Sequence, residues 1–124
     1  MEIVAGIVVF NPIIQKFLIL QSDNGFDLPK GHLEPGEDEL DGARRECWEE
    51  TGLRPRIVPD WHLMLQKGNK KYHFYLGIVS KTAVNLSQEH NHAFWAGSDF
   101  SAKLKNPLNI ALQTAAIYTN LYFH

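Results

Sequence analysis

A cluster of glutamates follows a glycine turn near the middle of the chain. Gly31-His-Leu-Glu-Pro-Gly-Glu37 is followed, after seven residues, by Arg45-Glu-Cys-Trp-Glu-Glu-Thr-Gly-Leu53. With about 3.6 residues per turn, Glu46, Glu49 and Glu50 fall within an arc of roughly 100° on one side of a helix. Carboxylates this close repel one another unless a cation neutralises them. Because all three side chains offer oxygen ligands, the spacing predicts a site for Mg²⁺ or Mn²⁺.

The same periodicity predicts a helix over about 38–51 whose other side packs on a core. Small and apolar side chains occupy the side opposite the glutamates: Leu40, Ala43, Cys47 and Thr51. Gly52 stands where a left-handed C-terminal cap is expected. Acidic clusters on helices are more often solvated faces, so the metal-site interpretation depends on the whole pattern around them.

The rest of the chain alternates apolar runs with turn signals, which predicts strands, a helix, strands and a helix in that order. We expect strands over 3–10, 17–20, 62–66 and 71–79. Residues 26–30 are expected to form a loop that delivers Lys30 beside the glycine turn. Asn106-Pro107 is typical of an N-cap followed by proline in the first turn, so a closing helix should begin there and run to near the C-terminus.

Length and composition predict one domain spanning 1–124. The chain has 44% hydrophobic residues and a net charge of −2, which offers no broad attraction to nucleic acid or to anionic membranes. The single cysteine, Cys47, cannot form an intrachain disulfide. No apolar run approaches the ~20 residues that span a bilayer, and the N-terminal segment lacks the features of a signal peptide. We therefore expect a cytoplasmic protein with no membrane association and no stable nucleic-acid complex.

Taken as a whole, residues 31–53 resemble the signature of the Nudix hydrolases, which is glycine, five residues, Glu, seven residues, Arg-Glu-aliphatic-x-Glu-Glu-x-Gly-aliphatic. Cys47 and Leu53 stand at its two apolar positions. The resemblance implies an α/β fold of the Nudix type, an α/β/α sandwich with a central mixed β-sheet. It also implies a pyrophosphohydrolase that cleaves a nucleoside diphosphate linked to another moiety, with Mg²⁺ or Mn²⁺ as cofactor.

The resemblance also implies a role for each charged residue of the motif. Glu46, Glu50 and the backbone carbonyl of Gly31 would bind the metal, and Glu49 would be a ligand or an outer carboxylate. Since sequence does not show which carboxylate reaches the attacking water, Glu46, Glu49 and Glu50 all remain catalytic candidates. A supporting ion pair would tie the loop to the helix: Glu37 and Arg45.

A second segment, Leu86-Ser-Gln-Glu-His-Asn-His-Ala-Phe-Trp95, resembles the Leu-Ser-x-Glu-His segment of the asymmetric diadenosine tetraphosphate hydrolase branch of that family. In that branch the loop glutamate points into the metal site, so the resemblance implies Glu89 as a metal ligand or general base. Two alternatives stay open. Glu89 is a solvated loop residue in one, and Glu89, His90 and His92 bind zinc in the other.

Substrate contacts are expected upstream of the motif and at a hairpin, which Lys67-Gly-Asn-Lys70 predicts between two apolar runs. Lys30 is the leading phosphate contact, and Lys70 and Lys71 could meet the far end of a polyphosphate. Tyr72 and Phe74 share one side of their strand and could stack a purine as that branch does, with Phe74 nearest the stacking position, although aromatic strand residues are more often core.

These expectations rank three functions. The first is metal-dependent hydrolysis of a dinucleoside polyphosphate, preferentially diadenosine tetraphosphate, to ATP and AMP. The second is hydrolysis of another nucleoside diphosphate derivative, such as a modified nucleoside triphosphate, a capped RNA 5′ end or a nucleotide sugar. The third is a nucleotide sensor without turnover, against which the intact set of glutamates argues.

Overall fold

A seven-stranded mixed β-sheet forms the centre of the computed structural model, which describes residues 1–123. The main path runs β3-β2-β1-β6-β5, while β4 also pairs with β1 and β7 with β2. β1 and β6 are parallel, and the other pairs are antiparallel. The strands are β1 (Glu2–Asn11), β2 (Lys16–Ser22), β3 (Gly25–Asp27), β4 (Lys30–His32), β5 (Arg56–Lys67), β6 (Lys70–Ile78) and β7 (His92–Ala96).

Helices cover both faces of this sheet. Successive side chains of β1 point to opposite faces and so enter two different cores. On one face Ala5, Ile7 and Val9 pack with Ala43 and Cys47 of α1 (Glu39–Thr51). On the other face, Val8 and Phe10 pack with α2 (Leu108–Tyr122), and a short 3₁₀ helix (Ser98–Lys103) precedes α2. The predicted α/β/α sandwich with a central mixed sheet is therefore confirmed.

Both ends of α1 are fixed by local hydrogen bonds. The Asp38 carboxylate accepts from the backbone N–H groups of Leu40 (2.7 Å) and Asp41 (3.1 Å), which caps two otherwise unpaired donors. At the other end Gly52 adopts φ +71°, and its N–H donates to the Trp48 carbonyl at 2.8 Å. The expected helix over 38–51 is thus confirmed to within one residue.

Two short strands lie where a loop was expected. β3 pairs with β2, and β4 pairs with β1 so that Lys30 lies opposite Gly6. Segments of three residues are too short to show an alternating pattern, so sequence reasoning assigned them to a loop. The sheet backbone therefore holds Lys30 in place.

The closing helix begins one residue later than predicted. α2 begins at Leu108, and Pro107 occupies the cap position without a side-chain cap hydrogen bond. The Asn106 carbonyl instead accepts a hydrogen bond from Lys67 Nζ at 3.0 Å. Between residues 1 and 123, no helix is long and apolar enough to cross a membrane.

Phe74 is a core residue, and the expectation that it stacks a purine is wrong. Its side chain is fully buried against the α2 side of the sheet, next to the equally buried Leu76. Tyr72, two residues earlier, lies parallel to it at a centroid separation of 6.1 Å and is only partly buried. Strand alternation placed both rings on the correct side, but burial leaves only Tyr72 accessible to a ligand.

Replacing Phe74 by alanine should lower the free energy of unfolding by about 3–5 kcal/mol, because the change removes a buried ring and leaves a cavity. Urea denaturation measures this loss. The control is Met64→Ala on β5, whose side chain is 56% exposed and should cost less than about 0.5 kcal/mol. A loss below about 1 kcal/mol for Phe74→Ala would contradict the core assignment.

Candidate metal centre and nucleotide cavity

The guanidinium of Arg45 joins the glycine loop to the glutamates of α1. It donates to both carboxylate oxygens of Glu37, at 2.8 and 3.0 Å, and to the His32 carbonyl at 3.0 Å. It also donates to Glu46 at 3.0 Å and to Glu49 at 2.6 Å. Arg45 lowers the pKa of Glu37, and the pKa of Arg45 is itself raised, first by Glu37. The structure thus contains the ion pair expected from sequence.

The carboxylate of Glu46 lies directly against the backbone of Gly31. A Cβ at position 31 would overlap the carboxylate of Glu46. Glycine is therefore required for this approach. Burial is the largest influence on Glu46 and raises its pKa, against the opposing effect of Arg45, while Glu49 and Glu89 raise it further. The arrangement brings the Glu46 carboxylate beside the peptide expected to supply a carbonyl ligand.

Glu50 is buried, although the helical pattern grouped it with two outward-facing glutamates. Its carboxylate accepts a hydrogen bond from the Lys30 backbone N–H at 2.9 Å. Burial raises the pKa of Glu50 to about 8, with smaller increases from Asp27 and Glu46, while the Lys30 hydrogen bond opposes them. A carboxylate in this position requires a proton or a cation as partner.

The loop between β6 and β7 contacts the backbone of Glu50 and places Glu89 and His90 beside its carboxylate. The backbone N–H of Ser87 donates to the Glu50 carbonyl at 3.2 Å. One carboxylate oxygen each of Glu50 and Glu89 and one ring nitrogen of His90 lie within 4.8 Å of one another. His92, on β7, does not belong to this group within residues 1–123, so the structure does not assemble the three-residue zinc cluster considered from sequence.

The residues around this point fit a divalent cation. Arg45, Glu46, Glu49, Glu50 and Glu89 line an open cavity of about 420 Å³. Its carboxylate oxygens suit Mg²⁺ or Mn²⁺. Burial and neighbouring carboxylates raise the pKa values of Glu46 and Glu50. A bound cation would offset both effects by stabilising the ionised carboxylates. These glutamates and the Gly31 carbonyl are the groups that would hold it.

A second cavity, of about 290 Å³, lies on the α2 side of the sheet and receives the side chain of Lys30. Tyr72 and Phe26 supply aromatic surface there, while Lys67 and Lys105 supply positive charge. Lys30 Nζ lies 3.1 Å from Asp27 Oδ1. Since the backbone of Lys30 contacts Glu50, this one residue connects the cavity to the carboxylates.

Lys70 and Lys71, at the start of β6, do not line this cavity. Lys71 neighbours Tyr72 on β6 and so points to the opposite face of the sheet. Lys70 Nζ lies 4.0 Å from Glu2 Oε2, beside β1. Neither lines the cavity that contains Lys30 and Tyr72, and the expected phosphate contact of these two lysines is not supported.

Comparison with known proteins agrees with this geometry. Residues 2–104 match the NUDIX domain. The chain belongs to the Nudix family. Two asymmetrical bis(5′-nucleosyl)-tetraphosphatases are similar to it. The protein from Rattus norvegicus is 33% identical over 101 residues, covering 72% of this chain and 69% of the relative. The protein from Caenorhabditis elegans is 33% identical over 113 residues, covering 81% and 82%. A crystal structure of a C. elegans Ap4A hydrolase binary complex superposes with a TM-score of 0.88 at 26% identity, over 98% of this chain and 100% of that one.

Some residues of this Nudix site escaped the sequence reasoning. Asp27 links Lys30 to His90, whose Nε2 lies 3.5 Å from Asp27 Oδ2, and the His90 side chain is only 4% exposed. Lys67 and Lys105 donate to backbone carbonyls at the rim of the cavity that contains Tyr72. No local pattern marks Asp27, Lys67 or Lys105, whereas His90 belongs to the Leu-Ser-x-Glu-His segment and only its contact with Asp27 was not foreseen. The first three converge only because β3, the hairpin and the start of α2 meet in three dimensions.

In the metal-free Nudix protein, the free energy of unfolding should fall as pH rises from about 5 to 8. Over this range Glu50 is ionised in the unfolded chain, with a pKa near 4.5, but still protonated in the folded chain, with a pKa of about 8. The folded state then binds more protons than the unfolded state, so raising the pH favours unfolding. Urea denaturation in EDTA at several pH values measures the slope.

Glu50→Gln is the matched control, because glutamine keeps the volume and cannot ionise. Its stability should depend less on pH across the same window. Identical slopes in the two proteins would show that Glu50 titrates near its ordinary pKa.

Proposed function

We propose that this Nudix chain is a metal-dependent pyrophosphohydrolase that cleaves a dinucleoside polyphosphate, preferentially diadenosine tetraphosphate, to ATP and AMP. The main observation in support is that Glu46, Glu50 and Glu89 line one cavity. Lys30 connects this cavity to a second one, which is lined by aromatic residues and lysines. The similarity to two asymmetrical tetraphosphatases supports this substrate class.

Binding of the substrate begins with its nucleoside in the cavity beside Tyr72. The partly exposed Tyr72 ring offers a surface on which a purine can stack. Lys30 extends from the sheet beside Glu50, where its ammonium group can hold a phosphate of the chain. The phosphoanhydride then passes along the wall formed by the glutamates.

Hydrolysis requires a positioned water, an acceptor for its proton and positive charge on the phosphoryl oxygens. When bound, Mg²⁺ or Mn²⁺ would supply that charge. Glu46 and Glu50 are its proposed protein ligands, while Arg45 holds Glu46 and Glu49 in position through its hydrogen bonds. The oxygen of water bonds to phosphorus, the bridging P–O bond breaks, and the departing phosphate keeps the electron pair.

We assign the water proton to Glu89. Glu46 and Glu49 accept hydrogen bonds from Arg45, and Glu50 accepts one from Lys30. Glu89 is exposed in the same cavity and forms no salt bridge within the described part of the chain, residues 1–123. It is therefore the carboxylate with the most freedom to approach a water molecule.

The protein is proposed to act in the cytoplasm as a single domain.

Hydrolysis of another nucleoside diphosphate derivative is the second candidate function. The observation in its favour is that two lysines, Lys67 and Lys105, line the rim near Asn106. Such a cavity would also accept a nucleoside with a free polyphosphate chain.

Incubation with Mg²⁺ and diadenosine tetraphosphate should yield ATP and AMP, and Glu50→Gln should abolish this activity because it removes a metal ligand while conserving volume. Ion-exchange chromatography identifies the products. Thermal melting confirms that the variant is folded. Near-normal turnover by Glu50→Gln would overturn the site assignment, and two molecules of ADP as products would overturn the asymmetric cleavage.

Glu89→Gln should lower kcat by about 10²- to 10⁴-fold at fixed Mg²⁺, which is the usual range for a lost general base. Its melting temperature should change little, because the side chain is exposed. Gln88→Ala, the exposed neighbour in the same cavity, is the control for disturbance of the loop. An unchanged rate in Glu89→Gln would return Glu89 to a solvated loop residue.

A further inference from the structure

The Glu89 loop, residues 86–91, connects two separate parts of the fold. Near its start the backbone N–H of Ser87 donates to the carbonyl of Glu50, on α1, at 3.2 Å. At its end the backbone N–H of Asn91 donates to the carbonyl of Gln21, on β2, at 2.9 Å. The segment that carries the proposed general base is therefore held between the acidic helix and the β2–β3 hairpin.

His90 is the most deeply buried residue of the Glu89 loop. Its side chain is only 4% exposed, although its neighbours Glu89 and Asn91 are both exposed. The Nε2 atom of His90 lies 3.5 Å from Oδ2 of Asp27, on β3. Its Nδ1 atom is buried and has no hydrogen-bond partner within residues 1–123. The contact with Asp27 is therefore the one that orients the imidazole ring.

The carboxylate of Asp27 is itself held in place. Its Oδ1 atom accepts a hydrogen bond from the Leu28 backbone N–H at 2.8 Å and lies 3.1 Å from Lys30 Nζ. The backbone of Asp27 pairs with Leu20 of β2. One fixed carboxylate therefore faces both the ammonium group proposed to bind phosphate and the ring of the Glu89 loop.

The direction of the Glu89 side chain depends on this anchor. Glu89 is exposed and forms no salt bridge in the part of the chain that the structure describes, so its own contacts do not fix it. The ring beside it is fixed, and one nitrogen of that ring lies within 4.8 Å of carboxylate oxygens of Glu50 and Glu89. A general base must approach its water closely, and a displacement of about 1 Å can lower a rate about 100-fold.

We propose that His90 is a positioning residue for Glu89. Its buried ring, oriented by Asp27, fixes the loop so that the Glu89 carboxylate reaches the attacking water. His90 acts through Glu89 and does not touch the substrate. The proposal rests on the function proposed above, in which Glu89 accepts the proton of the water.

A double-mutant cycle tests whether His90 acts through Glu89. His90→Ala should lower kcat for diadenosine tetraphosphate about tenfold and leave KM within about twofold of wild type, because the base is displaced while the substrate contacts remain. In the Glu89→Gln background, the same substitution should change kcat by less than about twofold, since the base is already lost. Equal losses in the two backgrounds, or an unchanged kcat in His90→Ala, would overturn the proposal.

Two further variants separate this role from a general effect on folding. His90→Gln should restore most of the rate, because its amide can donate to Asp27 from the place of Nε2. His92→Ala is the matched control, since His92 is exposed on β7, two residues away, and should leave kcat unchanged. A His90→Gln rate as low as that of His90→Ala would contradict the role of the Asp27 contact.

Hydrogen exchange measures the anchor without turnover. In His90→Ala the Asn91 N–H should exchange at least about tenfold faster, because the loop opens more often. The Gly52 N–H, which donates to the Trp48 carbonyl at the end of α1, should keep its wild-type exchange rate. An unchanged exchange rate of Asn91 would show that His90 does not hold the loop.

Failure of the proposed function gives a different result. If the wild-type protein does not cleave diadenosine tetraphosphate, the proposed substrate is wrong, while the exchange rate of the Asn91 N–H still decides whether His90 holds the loop. If the wild-type protein cleaves it and Glu89→Gln keeps the full rate, Glu89 is not the base, and the positioning role of His90 fails with it.

Discussion

The hydrogen bonds of Arg45 set the shape of the whole site. Its guanidinium holds the loop through Glu37 and the His32 carbonyl, and holds the helix through Glu46 and Glu49. Without this cation, the acidic side of α1 would repel the acidic loop that enters it. Because the guanidinium is planar and donates in fixed directions, it also fixes the distance between loop and helix, which a lysine would not do.

Burial of the Glu50 carboxylate has an electrostatic cost. Most carboxylates on a surface helix are solvated, but Glu50 is buried, and burial raises its pKa to about 8. The fold therefore accepts an electrostatic cost at one position, offset by the Lys30 backbone hydrogen bond and by whichever cation binds. Local rules are most often broken in this way at functional sites, where stability is exchanged for ligand affinity.

The helix limits and the long strands could be predicted from the sequence because each depends on residues that are close together in the chain. The limits of α1 follow from Asp38 and Gly52, and the long strands follow from apolar runs of Val and Ile. Strand alternation placed Tyr72 and Phe74 on one side, yet the depth of each ring depends on how far α2 extends over the sheet. The three-residue strands, β7 and the start of α2 depend on pairing and packing with distant segments, which no window of sequence contains.

The residues for the reaction lie close together in the sequence, whereas those that would set substrate specificity come from distant segments. The glutamates are concentrated on one helix and one loop, so a motif can identify the chemistry. The residues around the cavity proposed for the nucleoside come instead from β3, the β5–β6 hairpin and the start of α2. Lys30 connects that cavity to the carboxylates, since its N–H donates to Glu50 while its side chain lines the cavity. Because Lys30 lies on β4, the pairing of β4 with β1 fixes both its hydrogen bond to Glu50 and the position of its side chain, which no single motif encodes.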